Sequence, residues 1–244
     1  MKKIDYEIVI PIYNEGKNIL KVLNLFDKFI KYKIRVLLCY DLDNDNIFNY
    51  KKNFSKFKFE IVLIKNNQTG PCSAVKKGFE NINAKCVIVY PADDFINVKI
   101  LDKMYELYLG GADIVVASRF INGGSMKNCP LLKSIIVRLA SSTLFFLSSI
   151  PVRDASNGFR LFSKKILNLI KIESRVGFAY SLELLVKCDR LKMRILEIPS
   201  QWEERSEGQS RFKIFKWLPQ YFKWYIYGLT TTWLRKKEIW KRPF

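Results

Sequence analysis

The chain of 244 residues contains no histidine. That absence excludes Ser-His and Cys-His nucleophilic catalysis, and it excludes zinc held by imidazole. Any chemistry must come from carboxylates, Arg and Lys, hydroxyls or a metal held by oxygen. Cysteine is scarce, limited to Cys39, Cys72, Cys86, Cys129 and Cys188. No two are spaced C-x-x-C, and an odd, scattered set in apolar surroundings reads as reduced, buried thiols of a cytosolic protein. A leader-like apolar run is missing, because after Met1-Lys2-Lys3 the segment Ile4–Ile12 is broken by Asp5 and Glu7. The glycosylation sequons at Asn53 and Asn67 then read as accidental. No G-x-G-x-x-G follows the first apolar run and no G-x-x-x-x-G-K-[ST] occurs, so dinucleotide and P-loop readings lose their main support. Acidic residues are few beside basic ones: 23 Asp and Glu against 42 Lys and Arg, a net charge of +19. Such an excess attracts nucleic acid, anionic lipid or phosphorylated substrates. Residues 205–244 alone carry ten basic and two acidic side chains.

What is present is an alternation of apolar runs with helical periods. Ile4–Ile12, Lys33–Tyr40, Phe59–Lys65, Cys86–Tyr90 and Ala112–Ser118 read as strands. Glu15–Lys31, Cys72–Asn81 and Val98–Leu109 read as helices between them. This order predicts an α/β fold with a mostly parallel sheet and flanking helices. Ligands of such sheets bind beyond the carboxyl ends of the strands. Asn14-Glu15, Asp41-Leu42-Asp43, Asn67–Gly70, Asp93-Asp94 and Arg119 all fall there. The second half is less regular. Leu131–Ile150 is apolar but interrupted by Lys133, Arg138 and five serines. Tyr180–Leu191 reads as a helix and Arg194–Pro199 as a short strand. Pro219–Trp233 reads as an aromatic-rich amphipathic helix with Phe222, Tyr225, Leu229 and Trp233 on one face, and Pro219 suits its first turn. Residues 1–211 form the expected catalytic domain, and 212–244 form a basic, aromatic terminal helix, able either to lie in lipid headgroups or to pack on the domain.

Asp93 and Asp94 close the run Cys86-Val87-Ile88-Val89-Tyr90-Pro91-Ala92. Paired carboxylates after a buried strand suit Mg²⁺ or Mn²⁺, which prefer hard oxygen ligands and neutralise a diphosphate. Arg119 after the fifth strand can clamp a phosphate through two parallel hydrogen bonds.

Five segments together resemble family 2 glycosyltransferases, in particular the dolichol-phosphate mannose synthase-like branch. They are Ile10-Pro11-Ile12-Tyr13-Asn14-Glu15, Tyr90-Pro91-Ala92-Asp93-Asp94, Ser118-Arg119-Phe120, Asp154-Ala155-Ser156-Asn157-Gly158-Phe159-Arg160 and Arg205-Ser206-Glu207-Gly208-Gln209-Ser210-Arg211. The resemblance runs over about residues 5–225. It implies the nucleotide-diphospho-sugar transferase (GT-A) fold and inverting transfer of a sugar from a nucleotide-sugar donor to a lipid-phosphate or glycan acceptor. By the same resemblance Pro11, Tyr13, Glu15, Asp41 and Gly70 line the donor site, with Tyr40 standing where the family has a further acid. Asp93 matches the second acid of the family's D-x-D metal motif. Pro91 replaces the first, and Asp94 is an extra carboxylate able to substitute for it. Arg119 and a basic residue fourteen positions on, Lys133, hold the acceptor phosphate, with Arg138 as a neighbouring alternative. Asp154, Arg160 and Glu183 fall near the acceptor, although Asp154 and Arg160 also suit a pair that fixes their loop. Arg205, Ser210 and Arg211 match a flexible arm that closes on the donor diphosphate, with Arg205 among the catalytic candidates.

The implied setting is the cytoplasmic face of a membrane, with peripheral contact to anionic lipid and a polyprenyl-phosphate acceptor. Other readings stay open: transfer to a soluble or polysaccharide acceptor, a non-catalytic nucleotide-sugar-binding protein, and a basic nucleic-acid-binding protein. The last is disfavoured, because no recognition motif occurs and the carboxylate loops repel phosphate without a metal.

Overall fold

The computed structural model describes residues 4–148, 150–204 and 214–234, without the side chains of 214–216 and 232–234. Its centre is a seven-stranded sheet in the order β3-β2-β1-β4-β7-β5-β8. The strands are β1 (Tyr6–Ile12), β2 (Ile34–Tyr40), β3 (Glu60–Lys65), β4 (Cys86–Val89), β5 (Ile114–Ser118), β7 (Arg160–Ser163) and β8 (Ile195–Pro199). All run parallel except β7, which lies antiparallel between β4 and β5 and pairs Arg160 with both Val89 and Val116. Two short strands, β6 (Ser125–Lys127) and β9 (Gln201–Glu203), form a separate parallel ribbon.

Strands covered on both faces need apolar residues at every position, not at alternate ones. Cys86-Val87-Ile88-Val89 and Ile114-Val115-Val116-Ala117 meet that need and are fully buried. Side chains still alternate between faces. Ile8 and Ile10 of β1 join the core under α1 (Gly16–Phe29) and α3 (Leu101–Leu109), and Val9 joins the opposite core. That second core packs α2 (Pro71–Glu80), α5 (Lys164–Leu169), α6 (Ala179–Arg190) and one face of α7 (Ile214–Leu234). Across it lies α4 (Leu131–Leu147), of which only Ser141 and Leu144 are buried.

The expected strands and helices of the first half are present to within a few residues. Residues 46–56, which the sequence pattern leaves as a connection, wind as a 3₁₀ helix that Asp45 caps by accepting from the Ile47 amide at 2.9 Å. Strand β7 is the main element that the periodicity misses: four residues beginning with arginine carry no alternation to read. Helix α7 is described from Ile214, so Pro219 lies inside it rather than in its first turn. Its buried seam is Trp224 and Gly228, whereas Phe222 is 58% exposed. Of the expected face, Tyr225 and Leu229 are half-buried against the second core, and Phe222 is the one that turns outward. Trp233 lies outside the described side chains.

Glu183 carries the most consequential difference. Every residue of α6 is buried, so Glu183, expected near the acceptor, has no solvated face from which to meet one. Its carboxylate accepts from the amides of Glu173 and Ser174 at 2.7 Å each and from Lys187 Nζ at 2.6 Å. Lys187, one turn away, also donates to the Lys171 carbonyl and the Glu173 carboxylate, and its ammonium lies 4.8 Å from the Trp224 ring centroid. Trp224 in turn donates its indole N–H to Ser174 Oγ at 2.8 Å. One buried ion pair thus holds loop 171–174 and seats α7.

Glu183→Gln is expected to destabilise the fold by about 3 kcal/mol, because it sets an amide N–H against buried donors and leaves Lys187 only part of its compensation. Chemical denaturation with an unchanged m-value checks this. A loss under about 0.5 kcal/mol would remove Glu183 from the list of structural anchors.

Candidate active site

Parallel strands aim their carboxyl ends at one edge of the sheet, and the loops there are fastened to one another by side chains. After β1, Asn14 adopts a positive φ of 53°. Its amide donates to Asp45 Oδ2 at 2.8 Å, and its side-chain oxygen accepts from the Asn46 amide at 3.2 Å. The Gly16 amide donates to Asn46 Oδ1 at 2.8 Å. The loop after β2 therefore shapes the loop after β1. Within that loop Tyr13 is exposed, Glu15 precedes α1 and accepts from Asn18, and Pro11 sits in β1 beside Cys39.

Asp41 ties the next two loops. One carboxylate oxygen accepts from Asn66 Nδ2 at 2.7 Å and the other from the Gly70 amide at 2.8 Å. Gly70 has φ +99°, a conformation in which a side chain is strained. From there α2 begins with Pro71. Asp41 and Gly70, both expected in the donor site, are thus brought into contact. Asp45, Asn46 and Asn66 are the residues that the motifs overlook. The signal for Asp45 was its place as an Asx cap two residues before a buried isoleucine.

After β4, Asp94 is taken up by its own turn. Asp94 Oδ1 accepts from the amides of Ile96 and Asn97, both at 2.9 Å, and Oδ2 accepts from Asn97 Nδ2 at 2.6 Å. Burial raises the Asp94 carboxyl above the usual range, and the Asn97 and Ile96 hydrogen bonds pull against it. Asn97 continues to the backbone of Gln201, donating to its carbonyl and accepting from its amide. Asp94 is thus a turn-former that joins the loop after β4 to the loop after β8. The expectation that it ligates a metal meets this bonding, which occupies both of its oxygens; Asp93 is half-buried in the same turn. Among the described residues no three acidic or thiol groups cluster around a metal position. One carboxylate still fits Mg²⁺ or Mn²⁺ in a diphosphate site, because these ions keep water and take substrate phosphate oxygens as ligands.

Arg119 follows β5 and is bound by Asp154. Its Nε donates to Oδ2 at 2.7 Å and its Nη2 to Oδ1 at 2.9 Å, while Nη2 also reaches Ser156 Oγ at 2.6 Å. The Arg119 amide adds a third contact to the carboxylate, at Oδ2 and 3.0 Å. Asp154 is fully buried. Burial pushes its carboxyl up, but the charge and hydrogen bonds of Arg119 outweigh that and hold it below the usual range. The two-pronged face of Arg119 is therefore engaged by the protein. That face is not available to clamp a phosphate, and Nη1 donates to Met126 Sδ at 3.7 Å.

Two further acceptor assignments yield to burial. Arg160 is fully buried and donates to the carbonyls of Ser181 and Ala155, which pins the 154–157 loop to α6. Glu183 is the anchor of α6 described above. Lys133 remains near the site, paired with Glu204 at 2.9 Å and lying 4.7 Å from the Trp202 ring centroid. Arg138 instead stacks on Phe120, 4.8 Å from its centroid, and lines a cleft on the outer side of α4. Arg205, Ser210 and Arg211 lie outside the described residues. The chain that leads to them leaves β9 beside β6 and Met126, hence beside Arg119.

Comparison with known proteins gives a consistent picture. Dolichol-phosphate mannosyltransferase of Pyrococcus furiosus is 24% identical over 219 residues, covering 86% of this chain and 61% of that protein. Dolichyl-phosphate beta-glucosyltransferase of Saccharomyces cerevisiae is 27% identical over 227 residues, covering 83% of this chain and 68% of that protein. The chain thus spans about two thirds of the length of these relatives. Among solved structures, glucosyl-3-phosphoglycerate synthase from Mycobacterium tuberculosis, in complex with Mn²⁺, UDP and glucosyl-3-phosphoglycerate, superposes with a TM-score of 0.69. It is 13% identical, and the match covers 93% of this chain and 80% of that one. The fold is therefore the GT-A fold. A profile match over residues 7–170 runs from β1 through β7 and takes in every loop that the geometry gathers at the carboxyl edge up to Asp154 and Ser156, and by that match the chain belongs to glycosyl transferase family 2.

Proposed function

We propose that this protein transfers a sugar from a nucleotide-diphospho-sugar to a polyprenyl-phosphate or other membrane-associated acceptor, with inversion at the anomeric carbon. The observation that carries this reading is the meeting, at one sheet edge, of a carboxylate turn after β4 and an arginine held by a buried aspartate after β5. A phosphate acceptor is already anionic at neutral pH, so it needs no general base, and a chain without histidine loses nothing by that. The remaining tasks are positioning and charge compensation. The names of the two eukaryotic and archaeal relatives support the choice of a lipid-phosphate acceptor.

In this reading the loops after β1, β2 and β3 hold the nucleotide, with Tyr13 exposed above them and Asp41 fixing Asn66 and Gly70. Asp93 would hold Mg²⁺ or Mn²⁺ on the donor diphosphate, and the ion when bound supplies Lewis-acid stabilisation of the leaving group. Arg119 offers its charge and its Nη1 edge to the acceptor phosphate. Asp154 acts through Arg119 as a positioning residue: it fixes the plane of the guanidinium and so the direction in which Nη1 points. Lys133, with Arg205 and Arg211, contributes further positive charge around the phosphates. Residues 1–211 would make up the transferase unit, with 212–244, which includes α7, as a segment bordering it. The protein works peripherally on the cytoplasmic side of a membrane.

Asp93→Ala is expected to abolish transfer and to remove the Mn²⁺-dependent part of nucleotide-sugar affinity. Asp94→Ala is expected to keep that metal dependence but to lose about 1–3 kcal/mol of stability, since it orphans the Ile96 and Asn97 donors. Calorimetric titration of both variants with and without Mn²⁺ separates the roles; metal-dependent binding that survives in Asp93→Ala would sink the assignment.

Arg119→Ala is expected to raise the transfer barrier by about 2–4 kcal/mol while donor affinity stays near wild type. Arg119→Lys should not rescue, because an ammonium cannot make the paired contact to Asp154. An equal fall in donor affinity and turnover would place Arg119 on the donor instead.

Asp154 gives a pH signature. A carboxyl with a lower pKa in the folded state contributes stability that is complete above its unfolded value of about 3.9 and is lost as pH falls through the folded value. Asp154→Asn should therefore be less stable than wild type at pH 7 and should lose less on acidification to pH 3. Parallel denaturation profiles for the two proteins would show that the Asp154 charge does not hold Arg119.

A further inference from the structure

Asn97 follows the Asp93-Asp94 turn, is only 5% exposed, and has every polar atom of its side chain engaged. On one side its Nδ2 donates to Asp94 Oδ2 at 2.6 Å, and its backbone amide donates to Asp94 Oδ1 at 2.9 Å. On the other side the same Nδ2 donates to the Gln201 carbonyl at 2.7 Å, and Oδ1 accepts from the Gln201 amide at 2.9 Å. Asn97 and Gln201 are 104 positions apart in the chain.

The two bonds to Gln201 have the form of a strand pairing. Successive residues of a strand turn their N–H and C=O to opposite sides of the ladder. Around β9 the Ser200 carbonyl accepts from the Ser125 amide at 3.0 Å, and the Glu204 amide donates to the Lys127 carbonyl at 3.2 Å. Gln201 therefore faces away from β6, and there one side-chain amide does what the edge of a third strand would do. The task needs a donor and an acceptor side by side at this length. Aspartate lacks the donor, leucine of similar size lacks both, and glutamine sets the pair one methylene further out.

The β6–β9 ribbon needs such a seat. It has three residues in each strand, all of them exposed or half-exposed, and so small a pair is marginal in water by itself. It also carries the partners of two cations. Met126 Sδ accepts from Arg119 Nη1 at 3.7 Å. The Trp202 ring centroid lies 4.7 Å from Lys133 Nζ, and Glu204, just past β9, pairs with the same ammonium at 2.9 Å. A shift of the ribbon therefore shifts the surroundings of Arg119 and Lys133 together.

We propose that Asn97 is a positioning residue that couples the donor side of the site to its acceptor side. Asn97 passes the ordering of the Asp93-Asp94 turn, as that turn takes the donor, to the β6–β9 ribbon, and the ribbon then sets Arg119 and Lys133 for the acceptor phosphate. The inference rests on the donor and acceptor sides assigned above. Coupling of this kind is reciprocal, so a bound acceptor tightens the donor by the same factor.

The test is amide hydrogen exchange on the full chain, free and with Mn²⁺ plus UDP-glucose, GDP-mannose or TDP-glucose, after a melting shift has shown which of the three binds. In wild type the bound nucleotide-sugar should slow exchange over residues 125–127 and 201–204 by about fivefold or more, the lower end of coupling between sites. Asn97→Leu should bind the same nucleotide-sugar and protect residues 93–97, yet leave the ribbon unprotected. The exchange variant Asp94→Asn/Asn97→Asp restores the contact inside the turn with its donor reversed, but sets a carboxylate oxygen against the Gln201 carbonyl. It should therefore behave as Asn97→Leu does, whereas a residue that only shapes the turn would be rescued by it. This second variant decides alone if Asn97→Leu does not fold. In transfer to polyprenyl phosphate both variants should lose about tenfold in kcat, with the donor KM within about threefold of wild type. A melting shift from none of the three nucleotide-sugars would remove the donor reading and the coupling together. A shift without ribbon protection in wild type, or ribbon protection kept in either variant, would overturn the coupling and leave the donor reading standing.

Discussion

The buried carboxylate of Asp154 is the constraint on which the site depends. A charge without access to water must be met by donors, and here they come from two directions. Arg119 brings the end of β5, and the amides and hydroxyl of Ser156 and Asn157 bring the loop itself. The Asp154 backbone amide separately donates to Glu197 of β8. The carboxylate thus fixes the end of β5 to the 154–157 loop, and the amide fixes that loop to β8. The same satisfaction turns Arg119 from a flexible cation into a group whose plane is fixed by the protein.

The neighbouring loops follow the same logic with neutral partners. Asp41 gathers Asn66 and Gly70, Asp45 and Asn46 gather the loop after β1, and Asp94 with Asn97 gathers the loop before β9. Several of the acidic residues at this edge are therefore committed to building loops rather than to meeting a ligand. The second anchor, Glu183 with Lys187, lies behind the sheet and does for α6 and α7 what Asp154 does for the strands. It leaves one side of α7 buried and the other turned outward, next to the apolar side of α4.

Much of this was legible in the sequence. Fully buried parallel strands write themselves as unbroken apolar runs, and the loops that follow them are polar, so the five strands and the edge where those loops gather could be read directly. The family resemblance rested on short segments in a fixed order, and the profile match covers four of the five. What the sequence concealed was partnership. Asp93 and Asp94 look equivalent in a string of letters, yet an Asn three residues on takes up one of them. Arg119 reads as a ligand group because Asp154 is 35 residues away, and only the antiparallel insertion of β7 brings them together. Glu183 has a lysine one turn on, a spacing that describes a solvated helix face as well as a buried pair; burial depends on α7, which a local period cannot report.

The most direct test of the account is the structure of the product. The full chain would be incubated with Mn²⁺ and a panel of UDP-, GDP- and TDP-sugars in the presence of vesicles that contain a polyprenyl phosphate, and the anomeric configuration of any glycolipid read by NMR. The account predicts a metal-dependent sugar-phosphate-lipid whose anomeric configuration is opposite to that of the donor. A retained configuration, or nucleotide-sugar binding without any transfer to the lipid phosphate, would contradict it.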